Sequence, residues 1–174
     1  AASDVYKRQE IPVSVFGGQR VRAWFDFDPG GSVDLPGLAR SVRQINDLIQ
    51  NEIDSGVPAE RIVVAGFSQG GVLALQTALY YPKRLAGILA LSTFLPDSDN
   101  LKSDSARVNA NIPVLMCHGQ QDAVLPMALG TAAFTRLQRA DYPVEWREYP
   151  MGHEVCQEEI REISRWLQVV LKCS

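Results

Sequence analysis

Apolar residues in this chain fall into two kinds of run: short unbroken ones, and longer stripes spaced three and four apart. Ile62-Val63-Val64-Ala65, Ala86 to Leu91 and Pro113 to Cys117 are nearly all apolar, as strands are when helices cover both faces. Leu38, Val42, Ile45, Ile49 and Ile53 form one helical stripe, and Ile160, Ile163, Leu167, Val170 and Leu171 form another. The first stripe opens at Asp34, with Pro36 in its first turn, and stops at Gly56. Helices are also expected after the strand at Ala65, ending before Pro82, and over about Met127 to Arg139. Val144 to Tyr149 has one polar face and reads as an edge strand, while Val13 to Phe16 and Val21 to Phe27 read as a hairpin around Gly17-Gly18. Residues 96–111 are polar and read as a loop with room for one helical turn. Strands alternating with helices predict an α/β fold, a mostly parallel sheet with right-handed crossovers.

The segment Gly66-Phe67-Ser68-Gln69-Gly70-Gly71 lies between one of those strands and the helical run Val72 to Leu79. Strand, G-x-S-x-G, helix is the context of a nucleophile elbow, where a tight turn lifts a serine hydroxyl above the strand end. Crowding in such a turn accounts for the glycines at 66 and 70, and the helix N-terminus favours a developing oxyanion. A glycine-rich turn with an incidental serine is the plainer alternative.

A serine hydroxyl needs a base, and the chain has two histidines, His118 and His153. Chain order in elbow enzymes is nucleophile, acid, histidine. His153 follows the last strand and precedes the last helix; His118 ends an apolar run and reads as packing at that strand's end. Asp122, in the loop after Cys117 and before Pro126, fits the orienting acid. It fits a helix-capping aspartate too, and Asp97 and Asp99 are rivals in a solvated loop.

Composition narrows the picture. With 174 residues, 46% of them hydrophobic, the chain makes one domain or most of one. A net charge of -3 and a pI near 5.4 argue against nucleic-acid binding, and no apolar run reaches membrane-spanning length. Cys117, Cys156 and Cys173 lack paired spacing, which favours free thiols, a cytoplasmic location and no metal. No cofactor is expected.

Arg61 to Gly71, Leu89-Ala90-Leu91-Ser92-Thr93, Cys117 to Asp122 and Glu148 to Glu154 together resemble the phospholipase/carboxylesterase family, which includes bacterial carboxylesterases and acyl-protein thioesterases. Gly17-Gly18 and Arg22 to Asp26 extend the likeness, which runs from about Ile11 to the C-terminus. The resemblance implies an α/β-hydrolase fold, the triad Ser68, Asp122 and His153, and an oxyanion N–H from Gln69. It also implies a small ester, thioester or lipid as substrate; carboxylesterase, acyl-protein thioesterase and lysophospholipase share this machinery. A non-catalytic binder or inactive fragment on the same fold is the alternative from another class. Phe94, Leu95, Val124 and Leu125 are candidates for an acyl groove and are equally well explained by loop packing; Trp24 reads as core, and Glu154 as surface charge.

The sequence departs from the family at its start. The His-Gly-Leu-Gly loop that supplies a second oxyanion donor is not found, and residues 1–9 resemble nothing in the family. These nine residues are expected to be a non-native leader, and 10–174 a partial domain lacking the N-terminal strands and oxyanion loop. The strand ending at Ala65 is then expected to be an exposed apolar edge, and the chain weakly active.

Overall fold

Asp34 opens the first long helix through its side chain, which accepts from the Gly37 N–H at 3.0 Å; Pro36 stands in the first turn. This helix, α1 (Leu35–Asp54), buries Leu38 and Ile49. Gly56, at φ 100°, ends it, with the Gly56 N–H on the Ile53 carbonyl and the Val57 N–H on that of Glu52. The computed structural model describes residues 9–14, 17–27, 32–96, 101 and 104–172.

Ahead of α1 lies an antiparallel hairpin, β1 (Gln9–Val13) and β2 (Gln19–Ala23), with Gln9 opposite Ala23 and Val13 opposite Gln19. It lies earlier in the chain than the alternation suggests. Val13 and Ala23 are its buried residues, whereas Glu10 and Pro12 are exposed. Residues 15 and 16 lie outside those described, and Gln9, assigned by sequence to a leader, is the first residue of β1. β2 stops at Ala23 instead of reaching Phe27, because side chains take the hydrogen bonds of the Trp24 peptide.

The main sheet has four parallel strands in the order β3 (Val63–Phe67), β4 (Gly87–Leu91), β5 (Val114–Gly119) and β6 (Val144–Tyr149). Between them run α2 (Gln69–Tyr80), the short α3 (Asp104–Arg107) and α4 (Met127–Arg139); α5 (Gln157–Val170) follows. Alternation sorts the strands' side chains. Val64, Ile88, Ala90, Val114 and Met116 pack with Ile49, Leu75, Leu79, Ala133 and Leu137 of α1, α2 and α4. Leu89, Leu91, Leu115 and Cys117 pack against Trp166, Ile163 and Leu167 of α5.

β5 is paired on both sides and buried throughout, whereas β6 exposes Glu145 and Glu148 as an edge strand should. β3 is the other edge among the described residues, and Ala65 on it is exposed. The connection from α2 to β4 is secured from downstream. Buried Asn109 accepts from the Leu85 N–H at 2.9 Å and donates to the carbonyls of Tyr81 (2.8 Å) and Lys83 (3.2 Å).

Candidate active site

β3 continues to Phe67, and Ser68 forms the turn into α2 with φ 57° and ψ −121°. Such a conformation costs a non-glycine residue about 1–3 kcal/mol and persists only where surroundings enforce it. Here the Ser68 N–H donates to the Leu91 carbonyl at 2.9 Å, and its own carbonyl accepts from the Gly71 N–H (2.9 Å) and Thr93 Oγ1 (2.8 Å). A Cβ at Gly66 would lie 1.9 Å from the Gly70 carbonyl oxygen, and one at Gly71 would lie 2.5 Å from Thr93. At Gly70 the nearest atom would be Trp24 Nε1 at 3.9 Å, an ordinary contact. The crowding assigned by sequence to Gly66 and Gly70 therefore falls on Gly66 and Gly71. Gln69 is the first residue of α2, and its N–H has no acceptor among the described residues, as first-turn amides lack intrahelical partners.

The acid and histidine loops are sewn together by backbone. The Gln120 N–H donates to the Tyr149 carbonyl at 2.9 Å and the Gln121 N–H to that of Met151 at 3.0 Å. Gly119 allows this approach, since a Cβ there would stand 2.3 Å from the Gly152 oxygen. Asp122 is 7% exposed, and its Oδ1 accepts from the N–H groups of Val124 (3.0 Å) and Leu125 (2.8 Å). Its Oδ2 lies 2.7 Å from His153 Nδ1, and His153 Nε2 lies 3.0 Å from Ser68 Oγ. Burial pushes the Asp122 carboxyl up, but the Leu125 N–H, the His153 ring and the Val124 N–H outweigh it and hold the carboxyl below its ordinary value. With Asp122 ionised, Nδ1 keeps its proton and Nε2 is left to accept from the hydroxyl.

Two contacts here have no signal in the sequence. The Phe67 ring lies tilted against the His153 imidazole, with centroids 4.7 Å apart. His118 is fully buried, as a packing residue would be, and it also braces the acid loop. Its Nε2–H donates to the Leu125 carbonyl at 2.9 Å and faces Asp122 Oδ2 at 3.6 Å. The ring stacks on Trp146, and Gly130 leaves room for it.

The four candidates for an acyl groove belong to different surroundings. Leu95 is buried in the main core, and Phe94 packs with Phe25, Leu38 and Val72. Val124 is 73% exposed, and Leu125 is half-buried under the acid loop's hydrogen bonds. Trp24 is half-buried beside that same Phe25 cluster, and Glu154 is exposed. Asp97 and Asp99 lie outside the described residues.

The profile of the phospholipase/carboxylesterase family matches residues 6–171. The chain belongs to that family. The phospholipase/carboxylesterase match begins ahead of Ile11, where the motif resemblance starts. Acyl-protein thioesterase 1 of Gibberella zeae is 40% identical over 172 residues, covering 91% of this chain and 72% of that protein. Carboxylesterase SOBER1 of Arabidopsis thaliana is 32% identical over 169 residues, covering 94% of this chain and 74% of that one. The crystal structure of Arabidopsis thaliana SOBER1 matches with a TM-score of 0.85 at 29% identity, over 95% of this chain and 81% of that one. The parallel sheet and its flanking helices are thus an α/β-hydrolase fold, as expected for a phospholipase/carboxylesterase. Among the described residues no helix is long and apolar enough to cross a membrane.

Proposed function

We propose that this chain is a serine hydrolase that cleaves carboxylic esters or thioesters through an acyl-serine intermediate. The observation that carries this reading is the continuous relay from Ser68 Oγ to His153 Nε2 at 3.0 Å and from His153 Nδ1 to Asp122 Oδ2 at 2.7 Å. His153 takes the hydroxyl proton as Ser68 Oγ attacks the acyl carbon. The oxyanion that forms accepts from the Gln69 N–H at the start of α2, where donor and helix dipole act together. Asp122 fixes the imidazole tautomer and stabilises the imidazolium. Collapse expels the alcohol or thiol, which leaves with the proton from His153. Water then attacks the acyl carbon as His153 takes its proton, and His153 returns that proton to Ser68 Oγ as the carboxylic acid departs.

The 40% identity to a protein named acyl-protein thioesterase favours an acylated protein as substrate over a small ester; a lysophospholipid is the third option. The free thiols of Cys117 and Cys156 fit a reducing compartment, so the cytoplasm is the proposed location. Fluorophosphonate labelling tests the central claim: the wild-type chain should take the label and Ser68→Ala should not. A folded wild-type chain that stays unlabelled would leave a non-catalytic binder as the better reading. Parallel assays on a short aryl ester, an acyl thioester and a lysophospholipid then rank the substrates.

A further inference from the structure

Gln69 has a second attachment besides its place in the backbone of the elbow. Its Oε1 accepts from the Trp24 N–H at 3.1 Å, and its Nε2 donates to the Phe25 carbonyl at 3.1 Å. Both ends of one carboxamide are thereby engaged with successive residues 45 and 44 positions upstream. The Trp24 peptide is held from its other side as well, because Ser41 Oγ on α1 donates to the Trp24 carbonyl. Phe25 and Ser41 are buried, so this chain of bonds ends in packed structure and not in solvent.

The position of the Gln69 N–H depends on the peptide joining it to Ser68, whose ψ is −121° beside a positive φ. Relaxation of that strained turn would rotate the peptide and swing the N–H away from a fixed oxyanion position. Oxyanion donors act because they are already in place, and a small misplacement costs turnover steeply. We propose that the Gln69 side chain is a positioning group: by gripping the Trp24–Phe25 backbone it locks the orientation of its own N–H, and Ser41 extends the lock to α1. The inference rests on the acyl-transfer reading above, which uses that N–H.

The test uses the whole chain with Gln69→Met, which keeps length and loses both hydrogen bonds, together with Ser41→Ala and the double variant. Turnover of an activated ester and the rate of fluorophosphonate labelling are measured beside thermal melting. For Gln69→Met, kcat should fall about tenfold or more, by the usual loss on disturbing an oxyanion donor, with KM within about twofold. Ser41→Ala should lower kcat by about threefold and add nothing on the Gln69→Met background, since the two act through one relay. A Ser41→Thr variant, which keeps the hydroxyl, should recover the wild-type rate.

If Gln69→Met melts like wild type with kcat unchanged, or if only KM rises, the positioning role is wrong while the labelled wild type still supports the hydrolase. Additive losses in the double variant would also overturn it, leaving two separate structural contributions. If Gln69→Met does not fold, the kcat of Ser41→Ala and its rescue by Ser41→Thr decide the matter. A wild-type chain that takes no label overturns both readings together.

Discussion

The two halves of the candidate site are built by different means. The acid and histidine half stands on β5, paired on both sides and buried along its length, and its loops are joined by main-chain bonds from Gln120 and Gln121. The elbow half stands on β3, an edge strand among the described residues, and hangs on a strained serine, a carboxamide and steric exclusion at Gly66 and Gly71. Backbone pairing is indifferent to most side-chain changes, those at Gly119 and His118 aside, whereas the elbow depends throughout on particular side chains or their absence. The acid half should therefore lose chemistry without losing shape, and the elbow half should lose both.

The largest effects test the shared relay. Ser68→Ala and His153→Ala should each lower turnover by about 10⁶, measured on an activated ester, since triad members act as a unit. A loss below tenfold at either would show that the role belongs elsewhere. Asp122→Asn should cost about 10⁴ in kcat through the wrong imidazole tautomer. Its Oδ1 can still accept from Val124 and Leu125, so the melting temperature should stay near wild type. A large drop in melting temperature would mean that the acid loop relies on the charge, and the contrast between the halves would fail.

Gly66→Ala drives a Cβ into the Gly70 carbonyl and should destabilise by about 3 kcal/mol or more. Gly70→Ala meets only an ordinary contact and should change stability by less than about 1 kcal/mol. Equal melting temperatures for these two variants would contradict the placement of crowding in the elbow.

The last effect is read through pH and concerns Glu159 on α5, fully buried beneath the acid half, where burial pushes its carboxyl up to about 7. The folded state therefore holds a proton that the unfolded chain releases at lower pH. The stability this contributes is full below the ordinary glutamate value of 4.5 and is lost as pH rises through about 7. Glu159→Gln should remove that slope and gain up to about 3 kcal/mol over wild type at pH 8. Parallel denaturation curves for the two proteins across that window would refute the assignment.

Much of this arrangement is written locally in the chain. The run from Val114 to Cys117 reads as a buried strand because both faces are covered, and Asp34 with Pro36 marks the start of α1 within a residue. The relay residues are legible through their order and their places after strands, although 85 residues separate Ser68 from His153. The contact of Phe67 with His153, the brace from His118 and the grip of Gln69 on Trp24 leave no periodic trace. Each joins segments whose proximity exists only after the sheet has formed. β1 was obscured for another reason: Gln9, Glu10 and Pro12 are poor advertisements for a strand, and its pairing comes from the turn at Gly17-Gly18.

Asn109 carries a consequence for how the molecule comes into being. The turn that feeds β4 depends on a carboxamide 24 residues further along than Leu85. A nascent chain leaving the ribosome exposes the serine turn and its helix well before that carboxamide arrives. Until then the Leu85 amide and the Tyr81 and Lys83 carbonyls have only water as partner. The order of synthesis therefore delays closure of this crossover until the segment carrying Asn109 has been made, so the serine turn is translated before the scaffold around it can be completed.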